Sequence, residues 1–258
     1  MDPLILWMAV LVEGMAAVNA AVTLFTRSRR AAFLIAVNTL PPVTLVGVFG
    51  DALSDGLVGW RTMLAVGLAY FYAFRQGWIA PAWFGTGGDD TTEYGAHTGS
   101  GSLTRRDGGG DDALLAVALT NMAGWLLAAP LLGMMARTGP FDGFDAIGIL
   151  LYLLGSVLQS GSALQRFRLG RTPPPPGQPL TTGFWSLCRH PDCFGDMLIF
   201  AGLAALSASP WGLVAPLACA VQYGLDAIPL REQAGATRHG PAWDDYRARV
   251  ACLIPFVW

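Results

Sequence analysis

The sequence predicts an all-α integral membrane protein: seven transmembrane helices, the N-terminus outside and the C-terminus in the cytosol. Three observations lead there. Apolar residues make up 53% of the chain and charged residues only 13%, against about 25% charged in ordinary soluble domains. The apolar residues fall in long unbroken runs, which a bilayer requires and a soluble core does not. The arginines gather at alternate ends of those runs.

A helical span takes about 20 apolar residues. The runs that qualify lie at roughly 3–26, 31–50, 60–84, 113–135, 144–166, 193–208 and 210–228. The first lacks a basic leader and is long enough to cross, so it reads as a helix and not as a cleaved signal. The sixth is short and meets the seventh at "SASPWG". Between the third and fourth lies "GTGGDDTTEYGAHTGSGSLTRRDGGGDD", a Gly/Asp-rich stretch expected to form a flexible cytosolic loop over 85–112. No internal repeat breaks the chain, so residues 1–258 read as a single transmembrane domain.

Orientation follows the arginines. Arg27, Arg29 and Arg30 follow the first span. Arg166, Arg168 and Arg171 follow the fifth, Arg189 precedes the sixth, and Arg231, Arg238, Arg247 and Arg249 lie in the tail. With seven spans all of them fall on the cytosolic side. The net charge of −2 and the lack of a basic block give no footprint for nucleic acid. Cys188, Cys193, Cys219 and Cys252 have neither CxxC nor CxxH spacing, so neither a zinc site nor a disulfide framework is expected.

Ionisable groups at membrane depth are costly and are functional candidates by default. Glu13 lies mid-way along the first run, and Asn38 and Thr39 interrupt the second just before Leu40-Pro41-Pro42. In "AYFYAFRQGW", Tyr72 and Arg75 sit three apart and so share a helical face. Gln159 falls in the fifth run. Each has a structural reading beside the functional one. Tyr72 is a packing aromatic or a donor, Gln159 bonds a neighbouring helix or a ligand, and Glu13 pairs with Arg75 or a tyrosine or else serves catalysis. "CRHPDCFGDM" adds Arg189, His190, Asp192 and Asp196 next to an apolar run. Positive-inside anchoring accounts for the arginines there but not for the histidine and the two acids. A cytosolic cavity ringed by arginine forks would suit a phosphorylated cofactor.

These residues carry a resemblance. "GFWSLCRHPDCFGD" resembles the Arg-His-Pro segment of the steroid 5α-reductase family and its bacterial and protist relatives. "PLREQ" is similar to the Pro-Leu-Leu-Glu after the last span there, and "YRARVACLIPFVW" to the terminal Tyr…Ile-Pro signature. "GILLYLLGSVLQSGSALQRFR" resembles the span before the motif. The likeness covers the C-terminal half, with echoes at Asn38–Pro41 and Tyr72–Arg75.

The resemblance implies seven helices and an enzyme that passes hydride from NADPH to an enone or other activated carbon-carbon double bond in a lipid-like substrate. It makes residues 166–258 the cofactor-binding part. Tyr72 would donate to the substrate carbonyl, with Glu13 or Asn38 standing in for a glutamate that pairs with the tyrosine in the family. Arg75, Gln159, Arg171, Arg189, His190, Asp192, Asp196, Tyr246 and Arg249 would surround the cofactor. Three positions depart from the family pattern. Its Gln-Glu-Leu-Pro appears as Asn38-Thr39-Leu40-Pro41, its Asn-Tyr as Asp192-Cys193, and its span-five aspartate as Ala163. Isoprenylcysteine carboxyl and phospholipid methyltransferases, which bind S-adenosylmethionine, share the Arg-His-Pro landmark and form the rival reading. A degenerate relative kept for lipid binding or complex assembly is the third.

Overall fold

The computed structural model describes residues 3–26, 29–54, 58–84, 109–169 and 178–257. Among these there is helix and turn and no strand. The helices are α1 (Pro3–Thr26), α2 (Arg29–Val37), α3 (Leu40–Ser54), α4 (Trp60–Phe84), α5 (Gly109–Asn121), α6 (Ala129–Met135), α7 (Gly143–Leu169), α8 (Pro191–Ser207), α9 (Val214–Gln222), α10 (Ile228–His239) and α11 (Pro241–Arg249). A π-helical turn over Met122–Leu127 joins α5 to α6, and a second over Tyr223–Ala227 joins α9 to α10.

Five of the described stretches are long and apolar enough to cross a membrane: Leu4–Thr26, Ala31–Leu53, Asp112–Met135, Gly143–Arg166 and Pro210–His239. This is a multi-pass membrane protein. Two of the seven expected spans do not meet the same measure. α4 covers the third run but carries Arg75 and Gln76 in mid-helix, and α8, covering the sixth, has only 17 residues. The seventh run does not stop at 228; helix continues through the π turn to His239. Most of the expected 85–112 loop lies outside the described residues, and its last four positions already belong to α5.

Helix α7 carries the pattern expected of a helix that faces lipid. Along α7, Phe144, Ile147, Leu150, Leu153, Leu154, Val157 and Leu164 are exposed, while Asp145, Tyr152, Ser156, Gln159, Ser162 and Ala163 are buried. The polar side faces in and the apolar side faces out, the reverse of a soluble helix. The break between α2 and α3 has a local cause. Pro41 and Pro42 have no N–H to continue the helical ladder, so the chain turns at 38–39. Asn38 Nδ2 donates to Leu34 O at 2.7 Å and Thr39 Oγ1 to Ile35 O at 3.2 Å.

The chain forms two compact units, the first of 1–78, 103–150 and 200–218, the second of 79–102, 151–199 and 219–258. In the first, α1 packs on α5 and α2, and a buried ionic cluster ties α4 to the start of α7. Asp145, fully buried, accepts from Arg61 Nε at 3.1 Å and Nη2 at 2.6 Å, from Arg137 Nη1 at 3.1 Å, and from the Asp142 amide at 3.0 Å. Arg61 also donates to Gly139 O and Pro140 O, and Arg137 to Leu206 O. Every strong group in this cluster has a partner, which is what burial of charge demands.

Candidate functional site

In the second unit the Arg-His-Pro loop is built from both directions. Upstream, the 3-10 turn Gly183–Ser186 places Trp185 in the interior, where its carbonyl accepts from the Tyr246 hydroxyl at 2.6 Å. The guanidinium of Arg166 covers the Trp185 ring at 4.1 Å. Downstream, the loop pairs by main chain with the segment after α11: Arg189 N donates to Ala251 O at 2.8 Å and His190 N to Cys252 O at 3.1 Å. Pro191 then opens α8, where a missing N–H costs nothing.

Glu232 on α10 is the hub. Its Oε1 lies 2.8 Å from Arg189 Nε and 2.9 Å from His190 Nε2, and Arg247 Nε stands 3.4 Å from Oε2. Arg189 Nη1 also donates to Val250 O, so this guanidinium is spent on the scaffold. Asp192, nearly fully buried, accepts from Arg231 Nη1 at 2.9 Å. Burial lowers the His190 pKa, and the Glu232 contact opposes this only in part. The imidazole is therefore neutral at pH 7, and the carboxylate assigns its proton to Nε2. Nδ1 is left a bare acceptor, buried and without a partner among the described residues. Burial also pushes the Cys188 thiol up to about 12 and raises Cys252 and Tyr246, so none of the three is an ionised nucleophile at neutral pH.

A second cluster joins α7, α8 and the π turn. Gln159 Nε2 donates to Asp196 Oδ1 at 2.7 Å and Tyr223 donates its hydroxyl proton to Asp196 Oδ2 at 2.5 Å. The carboxylate can accept only, so it fixes the amide orientation and turns Gln159 Oε1 away as a buried acceptor with no donor among the described residues. Helix contact beneath is backbone to backbone: a Cβ at Gly195 would stand 2.6 Å from Gln159 N. This close approach holds the cluster rigidly. Beside it, Gly161, Leu164, Gln165, Arg168, Thr182 and Phe184 line an apolar groove of about 590 Å³.

His190, Glu232 and Cys252 offer ligand atoms within 4.8 Å of one another. Two guanidinium groups already neutralise Glu232, and a divalent cation there would face both, so the trio is an ion-pair hub and not a metal centre.

Thus the structure gathers Gln159, Arg189, His190, Asp192, Asp196 and Tyr246 of the sequence candidates into one unit. Tyr246 and Arg189 are used internally. Arg249 is exposed on α11, its Nε on Asp245 O, and Arg171 lies outside the described residues. The sequence marks Glu232 only within "PLREQ" and passes over Arg231 and Tyr223, whose partners lie 39 and 27 residues away.

In the first unit Tyr72 is buried, its ring edge-on to Phe200 with centroids 5.4 Å apart, and the Arg75 guanidinium stands 5.3 Å over it. Glu13 and Asn38 are both exposed, Glu13 a step off the buried line Val12, Ala16, Asn19 and Thr23. Neither is brought into the interior beside the tyrosine.

A family model described as a protein of unknown function (DUF1295) matches residues 60–250. The chain belongs to this family. Its matched region holds Tyr72, Arg75, the Arg-His-Pro loop, Glu232 and Tyr246, and leaves out Glu13 and Asn38. No curated protein matches the chain.

Proposed function

We propose that this DUF1295 chain is a membrane reductase that uses NADPH to saturate a carbon-carbon double bond conjugated to a carbonyl in a lipid-like substrate. One observation carries the reading. The second unit presents buried acceptors without donors among the described residues, Gln159 Oε1 and His190 Nδ1, near a loop held by Glu232 and the C-terminal segment. Acceptors of this kind fit a ligand rich in N–H and O–H donors, as the carboxamide and ribose hydroxyls of a nicotinamide nucleotide are. Bound there, the nucleotide supplies the hydride. The chain's own groups hold and orient it: Gln159 and His190 accept from it, Asp196 and Glu232 keep those two side chains aligned, and the exposed arginines Arg168 and Arg249 suit its phosphates. Tyr72, by the resemblance, donates to the substrate carbonyl, where negative charge grows.

The same reading assigns seven spans, α4 and α8 included, with the N-terminus outside. Reporter fusions after Arg30, Arg171 and Trp258 should all report cytosol; a split result breaks the topology. For the cofactor, the melting temperature of purified protein is the test, since a ligand that binds only the folded state raises it. NADPH should raise it and S-adenosylmethionine should not. The reverse outcome makes the protein a methyltransferase, and no shift with either removes the enzymatic reading.

A further inference from the structure

Tyr72 has a neighbour on α4 that the cofactor and substrate assignments above leave unused. Gln76 is four residues on, hence on the same helical face with Cβ atoms about 5–6 Å apart. It is fully buried. Neither its Nε2 nor its Oε1 has a hydrogen-bond partner among the described residues. A buried amide with both ends unmet is a standing cost of folding, of the sort a chain retains for something it binds.

The chemistry of the proposed reaction calls for such a group. When NADPH gives hydride to the β-carbon of an enone and leaves as NADP+, the electron pair of the double bond moves toward oxygen and an enolate forms; a proton from water then goes to the α-carbon. Charge on the enolate oxygen is best met by two donors. The sequence positions that would partner Tyr72, Glu13 and Asn38, are both exposed, and the amide of Asn38 is already spent on Leu34 O.

We propose that Gln76 Nε2 is the second donor to the substrate carbonyl oxygen, paired with the Tyr72 hydroxyl, and that Gln76 Oε1 accepts from a hydroxyl of substrate or water. This rests on the reductase reading and goes beyond it in naming a catalytic residue that touches the substrate. It also restricts the substrate to lipids whose double bond is conjugated to a carbonyl, since an isolated alkene offers Gln76 nothing to bind.

The test compares wild type with Gln76→Met in detergent or nanodiscs, with NADPH and a panel of enone lipids: a 4-en-3-one steroid, a long-chain 2-enone and a polyprenyl enone. The variant should lower kcat about 100-fold with KM little changed, as loss of an oxyanion donor does. Its melting temperature should stay level or rise, because an unmet amide has been exchanged for an apolar chain of similar size. The carbonyl stretch of the bound enone should move back toward its value in apolar solvent. Activity within a few-fold of wild type overturns the proposal. So does failure of Gln76→Met to fold, which would mean that the amide serves the scaffold. If wild type binds NADPH but reduces no member of the panel, the substrate class fails while the cofactor reading stands. If NADPH does not bind, both fall.

Discussion

Two regions of this molecule bury arginine beside carboxylate, and they differ in what they leave over. Around Asp145 the arrangement closes on itself: four donors reach the carboxylate, Arg61 and Arg137 also donate to main-chain carbonyls, and Arg137 Nη2 donates to the Asp142 carboxylate. Around the Arg-His-Pro loop the charges are matched as well, through Glu232 and Asp192, but His190 Nδ1 and Gln159 Oε1 have no donor among the described residues. The lesson is that buried charge alone does not mark a site. Under the reductase reading, completeness is what separates a scaffold joint from a surface that would take a ligand.

The strongest way to break that comparison is Asp145→Ala. Removing one member of a buried ionic cluster strands the others, at a cost of about 3–5 kcal/mol. The variant should fail to accumulate or should melt far below wild type, with any folded fraction keeping cofactor affinity. Wild-type melting would show that the cluster is no joint.

A smaller effect sharpens the other side. Burial lowers the His190 pKa below the ordinary 6.5 of an imidazole, so on acidification the unfolded chain takes up this proton before the folded one. Stability from this group is complete above about pH 6.5 and declines as the pH falls below it, by up to about 1.4 kcal/mol per unit, levelling once the folded imidazole also titrates. Melting temperatures between pH 7.5 and 5 should show this slope in wild type and lose it in His190→Gln. An unchanged slope would show that the histidine is solvated.

The smallest expected effect is at Arg249. The side chain is exposed, so Arg249→Ala should move stability by under about 0.5 kcal/mol. If the arginine recognises the 2′-phosphate, the variant should weaken NADPH more than NADH. Equal weakening removes it from the site.

How much of this was readable in advance divides along the range of the interactions. Apolar runs mark where the helices lie, and five of the described stretches are long and apolar enough to cross a membrane, because the bilayer's demand is local and summed over many residues. The α2–α3 break was legible at Pro41-Pro42 for the same reason. Glu13 and Asn38 drew notice as polar residues in apolar runs; Glu13, however, is out of phase with the buried line that Val12, Ala16, Asn19 and Thr23 carry at helical spacing, and Asn38 lies in the turn after α2. Arg61 with Asp145, by contrast, joins residues 84 positions apart, and Glu232 reaches Arg189 across 43. No periodicity records such pairs. Gln76 was hidden differently: it stands beside Arg75 as one more polar residue, and what distinguishes it is that its amide has no partner among the described residues. The π turn that aims Tyr223 at Asp196 leaves no clear mark in sequence either, since one extra residue in a helical turn changes no pattern.

The pairing of Arg189 with the carbonyl of Val250, 61 residues later, has a consequence in time. During synthesis at about 5–20 residues per second, the loop waits roughly 3–12 seconds for that partner. For the first 43 residues of this interval Arg189 has neither Glu232 nor the later backbone to receive it, and for the rest it has only Glu232. Closure of the Arg-His-Pro loop therefore waits for the last segment, and a ribosome that stalls shortly before Val250 leaves behind a chain in which this loop lacks that backbone partner.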